Sequence, residues 1–149
     1  MHTESEMKIP GENEWSGWED NLDSQYSYKR FFRRSNESMQ QDFKYNVIER
    51  SDDIRWMPKR AFQYYILGLR DFVMGDDHGW LQNSDAASCY IELVLSTLSM
   101  HPEFIKPIYK QLEESLKYVA ENQKEFEADE DIYGSFKSKL QEIEQLVIN

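Results

Sequence analysis

The run from Met57 to Gly75, MPKRAFQYYILGLRDFVMG, constrains this chain more than any other stretch. Ala61, Phe62, Tyr65, Ile66, Leu69, Phe72 and Val73 recur there at three- and four-residue steps, and Tyr64 and Leu67 widen the stripe. A helix that is apolar nearly all round belongs among other helices. Pro58 suits its first position, where a missing N–H costs nothing. Gly75 suits a left-handed stop. The spacing predicts a buried central helix, and so a helical core.

A second apolar helix is predicted over 85–100, through Ala86, Ala87, Tyr90, Ile91, Val94, Leu95 and Leu98. Asn83 or Ser84 can cap it, and Asp85 complements its positive end. The small residues Ala86, Ala87 and Ser88 permit close approach to a neighbour. Three further stripes read as amphipathic covers. One spans 36–50 through Met39, Phe43 and Val47, with Ser35 or Asn36 as cap and Ser51, Asp52 and Asp53 as its end. Another follows a short turn opened by Pro102 and runs from Pro107 through Leu112, Leu116 and Val119, with Glu113, Glu114, Lys117 and Glu121 opposite. The last spans 129–147 through Ile132, Phe136, Leu140, Ile143 and Val147, capped by Asp129 or Asp131. Gly134 weakens it by about 1 kcal/mol relative to alanine. No stretch alternates like a strand between turn signals. The expectation is an all-α fold: a compact bundle of about five helices, two central and two or three amphipathic.

This helical domain is expected to occupy residues 25–149, behind a poorly ordered acidic leader over 1–24. Trp15 and Trp18 in the leader are expected to dock on the protein's own surface, since indoles are poorly placed in water. Residues 25–34, QYSYKRFFRR, interleave bases with aromatics, a pattern that can bind single strands of nucleic acid. The molecule as a whole argues against that use. It carries 28 acids against 17 bases, net −11. The acids are concentrated: residues 76–149 hold fifteen, against six bases. Such a field repels nucleic acid and anionic membrane and favours a basic partner. The 25–34 segment is therefore expected to dock on the acidic body, with Phe31 and Phe32 as anchors. A single cysteine, Cys89, permits no intrachain disulfide and reads as a small buried hydrophobe. With no signal-peptide pattern and no membrane-length apolar run, a cytoplasmic protein is expected.

The polar clusters do not assemble into known chemistry. Asp76, Asp77 and His78 could contribute to a metal or acid–base site, but adjacent side chains diverge, and remote ligands from 125–131 would be needed. The stretch from Asp129 compares with a calcium loop through Asp131 and Gly134. It then places Leu140 where a bidentate glutamate is required. Phosphate-loop and serine-hydrolase patterns are absent. No catalytic residue, metal or cofactor is assigned.

Two functions of different class follow. The first is a non-enzymatic, acidic helical interaction domain that binds a basic protein, for example as an inhibitor or immunity-type binder of a basic toxin or nuclease. Its expected contact residues are Asp76, Asp77, Trp80, Glu125, Glu127, Asp129, Glu130, Asp131 and Tyr133. The alternative is a small-ligand or metal-dependent activity centred on the 76–80 loop. A third possibility is homo-oligomerisation through an apolar helix face with no partner beyond itself, which the sequence does not discriminate from the first.

Overall fold

A computed structural model describes residues 7–149, and every regular element among them is helical. After a 3-10 turn at Glu12–Trp15 come α1 (Leu22–Phe31), α2 (Asn36–Tyr45), α3 (Val47–Arg55), α4 (Lys59–Met74) and α5 (Asn83–Met100). They are followed by α6 (Pro102–Ile105), α7 (Tyr109–Glu121), α8 (Glu130–Tyr133) and α9 (Phe136–Ile148). The expected all-α class is present. The count differs: seven helices have nine residues or more among the described residues, and α6 and α8 are single turns. None of the described helices is long and apolar enough to cross a membrane.

The extra helices have local causes. The stripe over 36–50 belongs to two helices, because Asn46 both ends α2 and starts α3. Its backbone N–H donates to Asp42 O, and its side chain accepts from Glu49 N. Ser51, Asp52 and Asp53, expected to end a helix, lie inside α3. The basic–aromatic segment is mostly helical too. Asn21 caps α1 by accepting from Ser24 N, and Arg33 turns the chain toward α2 with φ of 66°. Near the C-terminus, Gly134 breaks the predicted helix at φ of 76°, and Ser135 caps a new one.

α4 lies at the centre as its pattern predicts, packed by α2, α3, α5, α6 and α7. All residues from Ala61 to Leu69 are buried. Its ends differ from expectation. Pro58 is the N-cap, and Gly75 stops the helix in an extended conformation, φ −78° and ψ 175°. Neither Asn83 nor Ser84 caps α5; both lie in its first turn behind Gln82, which makes no side-chain cap bond. The α2–α4 contact depends on Gly68, where a Cβ would overlap the side chain of Asn36. That side chain donates to Tyr64 O at 2.8 Å. The Tyr65 hydroxyl lies 2.6 Å from both Phe31 O and Arg34 O, so α4 also holds the turn after α1.

Residues 1–6 of the expected leader lie outside the described residues. Further on, Trp15 is fully buried, edge-on to Tyr28 at 5.5 Å and tilted against Tyr65 at 6.1 Å. Trp18 stacks on Tyr28 at 4.1 Å. Both indoles thus pack on the protein's own rings, and each large side chain fully buried this way contributes about 1.5–3 kcal/mol. Arg34 pairs with Asp42 at 3.1 Å, and Arg30 lies 3.9 Å from Asp53, so the basic segment meets acids of α2 and α3. Cys89 is half-buried rather than fully enclosed, and burial pushes its thiol up to about 11.

Candidate functional site

The loop between α4 and α5 carries Asp76, Asp77 and Trp80, and three side chains fix its path. His78 turns inward: Nδ1 lies 2.9 Å from Asn83 Oδ1 and Nε2 2.8 Å from Val73 O. Its ring packs between Phe72 and Phe126. Gln82 uses both ends of its amide. Its oxygen accepts from Val47 N at 2.8 Å, and its nitrogen donates to Lys44 O and His78 O at 2.8 and 2.7 Å. Gly79, at φ of 84°, presses so closely on the Lys44 carbonyl that a Cβ would overlap it. Leu81 follows in the left-handed region at φ of 56°. The loop is therefore bound to the α2–α3 junction, and it holds Trp80 outward at 86% exposure with Leu81 beside it at 75%.

A second glutamine organises the loop between α7 and α9. Buried Gln123 donates to Ala128 O at 2.9 Å and Gly134 O at 2.7 Å, and accepts from Phe136 N at 2.8 Å. Around that clamp Glu125, Glu127, Asp129, Glu130 and Asp131 face solvent. Asp129 accepts from Asp131 N and caps α8, as one of the two expected caps. Ile132, expected in the core stripe, is 74% exposed, because Gly134 resets the helical phase before Phe136.

The two loops meet. Asn83 donates to Glu127 at 2.8 Å. The Tyr133 hydroxyl donates to Asp85 at 3.2 Å and sits 3.0 Å from Ser84 Oγ. The structure thus brings the two sets of sequence-predicted residues to one end of the bundle, from loops separated by all of α5 and α7. Tyr133 is half-buried and joins the loops from within. Residues 76–85 and 122–135 together carry eight carboxylates and one lysine. Asp77 is held below the usual carboxylate range by the Lys44 ammonium, 2.6 Å away, and by the Gly79 N–H. Tyr45, next to Lys44, is also 86% exposed.

Sequence reasoning missed Tyr45, Leu81 and Ile132 as surface groups, and Gln82 and Gln123 as clamps. A glutamine in a polar loop carries no periodic signal. Only the carbonyls gathered around it reveal its role. The phase break at Gly134 is the one signal that could have moved Ile132 to the surface.

His78 turns its imidazole inward, while Asp76 and Asp77 stay exposed. Among the described residues no three His, Cys, Asp or Glu side chains converge closely enough to hold a metal ion. This end of the bundle presents a concentration of carboxylates and three exposed apolar side chains, Trp80, Leu81 and Ile132. Compared with known proteins, the chain matches no family model, no curated protein and no solved structure.

Proposed function

We propose that this is a non-enzymatic interaction domain whose acidic end binds a basic protein. The observation that carries the reading is Trp80: a largely exposed indole on a loop whose backbone is locked by Gln82, Gly79 and His78. Rigid, exposed aromatics are the anchors around which interfaces concentrate their binding energy. A locked loop loses little entropy on binding, which raises affinity without added contacts. The surrounding carboxylates supply steering and partner choice. An inhibitor of a basic toxin or nuclease is one concrete form, and a cytoplasmic setting accords with the single cysteine.

The test uses the full chain as immobilised bait at low and high salt, beside two variants. A basic protein is expected to be retained at low salt and released at high salt. Trp80→Ala should weaken it by about 30-fold or more, as loss of a central anchor does. Replacing Asp129, Glu130 and Asp131 together by lysine should slow association and flatten its salt dependence. Retention that neither variant alters would overturn the assignment, as would a light-scattering dimer with no other partner.

A further inference from the structure

The imidazole of His78 is buried and meets an oxygen at each of its nitrogens. Nε2 lies 2.8 Å from Val73 O, a carbonyl in the last turn of α4. Carbonyls there have no partner within the helix, and a helix C-terminus attracts a cation. Nδ1 lies 2.9 Å from Asn83 Oδ1. That amide cannot turn round without loss, because its Nδ2 donates to the Glu127 carboxylate at 2.8 Å. Val73 O and Asn83 Oδ1 are therefore both acceptors, and each needs a hydrogen from the ring. A neutral imidazole carries one N–H and one lone pair, whereas the imidazolium carries two N–H groups. Only the imidazolium satisfies both contacts. In the neutral ring a lone pair would face an oxygen across a hydrogen-bond distance.

The charges on the surrounding elements suit a cation. The ring's own loop carries Asp76 and Asp77, and Lys44 of α2 pairs with Asp77 at 2.6 Å. Asp85 lies in the first turn of α5. Exposed Glu125 and Glu127 flank Phe126, whose ring packs on the imidazole. From α7, Tyr118 is edge-on to Phe126 at 6.1 Å. On α4, Arg70 and Asp71 pair with each other at 2.7 Å. With that pair set aside, five carboxylates and one ammonium remain.

We propose that His78 is a proton-operated tie between the two acidic loops. Protonated, it joins the end of α4 to Asn83 and, through Asn83, to Glu127. Loss of the proton removes one of three bonds: His78 to Val73, His78 to Asn83 or, if the amide turns round, Asn83 to Glu127. The tie is complete at acidic pH and is lost as pH rises. Gln82 still binds the α4–α5 loop to Lys44 O, so what loosens is the connection to the loop after α7. The consequence for a partner rests on the reading of this end as an interface: the carboxylates of both loops hold one arrangement only while the ring is charged.

Nitrogen-15 NMR of the full chain, combined with amide exchange from about pH 5 to 9, spans the range in which histidine charges and needs no partner. His78→Gln identifies the His78 ring among the three histidines. At acidic pH both of its nitrogens should read as protonated. As the ring signals move with rising pH, protection of the Phe126, Glu127 and Ala128 amides should fall by about tenfold or more, the effect of one charge-assisted bond. Those amides are bonded within their own turn, and protection factors remove the intrinsic pH dependence of exchange. Amides of α2 should stay level. Asn83→Ala should bring protection to the high-pH value at every pH, because the tie is then absent in both charge states. If His78→Gln fails to fold, His2→Gln and His101→Gln identify the ring by elimination and Asn83→Ala carries the test. A His78 ring that keeps one charge state throughout, protection that ignores its titration, or an unchanged pH response in Asn83→Ala would overturn the proposal. If these signals hold while the bait retains no basic protein, the interface reading fails and the tie stands.

Discussion

Gly68 shows how far a single residue's meaning depends on its neighbour. Within a helix, glycine is weaker than alanine by about 1 kcal/mol, so from the sequence Gly68 reads as a defect in α4. In the fold it is where α2 approaches, and a methyl group would meet the Asn36 side chain. Gly68→Ala should therefore cost about 1–3 kcal/mol through overpacking, measured by urea unfolding. A gain would mean that Asn36 moves aside without loss of its bond to Tyr64. Asp53 gives a second residue-scale prediction. Burial outweighs the Arg50 guanidinium and raises its carboxyl above 3.8. The folded state then binds that proton more readily than the unfolded chain, so this contribution is full below 3.8 and declines as pH rises through the folded value. Relative to Asp53→Asn, the wild type should lose stability as pH rises from 3.8 through the raised folded value, as urea melts would read it. The opposite slope would mean that the attraction of Arg50 and Arg30 dominates.

Among the elements, the longer helices were legible because periodicity reports burial directly. α4, α5 and α7 lie where their stripes put them. Breaks between helices were hidden when the stripe continued across them. Met39, Phe43 and Val47 keep four-residue steps through Asn46, and all three are fully buried. Ile132 to Phe136 keeps the same step across Gly134, yet Ile132 faces solvent. A repeat distance alone does not reveal that the backbone has changed direction between two members. The candidate site was legible only as composition: the acids were visible, but their gathering depends on Gln82, Gln123 and Asn83, whose partners are distant in sequence. Gln123 is the more exacting clamp, since one amide meets two carbonyls and a backbone N–H. Gln123→Ala should cost about 1–3 kcal/mol by leaving buried groups unpaired. It should also raise amide exchange across 124–135 while leaving α2 and α4 protected. Exchange that rises evenly over the chain would show that this loop opens only with the whole fold.

For the whole molecule, net charge is the property with the plainest consequence. Twenty-eight acids face seventeen bases, and the excess lies mainly in the second half. Exposed ion pairs such as Lys117–Glu113, 3.5 Å apart, offset little of that repulsion. Raising ionic strength from about 0.01 to 0.15 M shortens the Debye length from about 30 to 8 Å, and the melting temperature should rise by calorimetry. A fall would mean that attractive pairs outweigh the repulsion. The core also joins distant parts of the chain, and Trp15 is its clearest case. The indole is translated before the α4 residues that enclose it, Tyr65 among them. At about 5–20 residues per second, it waits on the order of seconds before its place exists. Nascent chains stalled before α4 should thus present an unprotected tryptophan to any chaperone at the ribosome exit, and chains released after it should not.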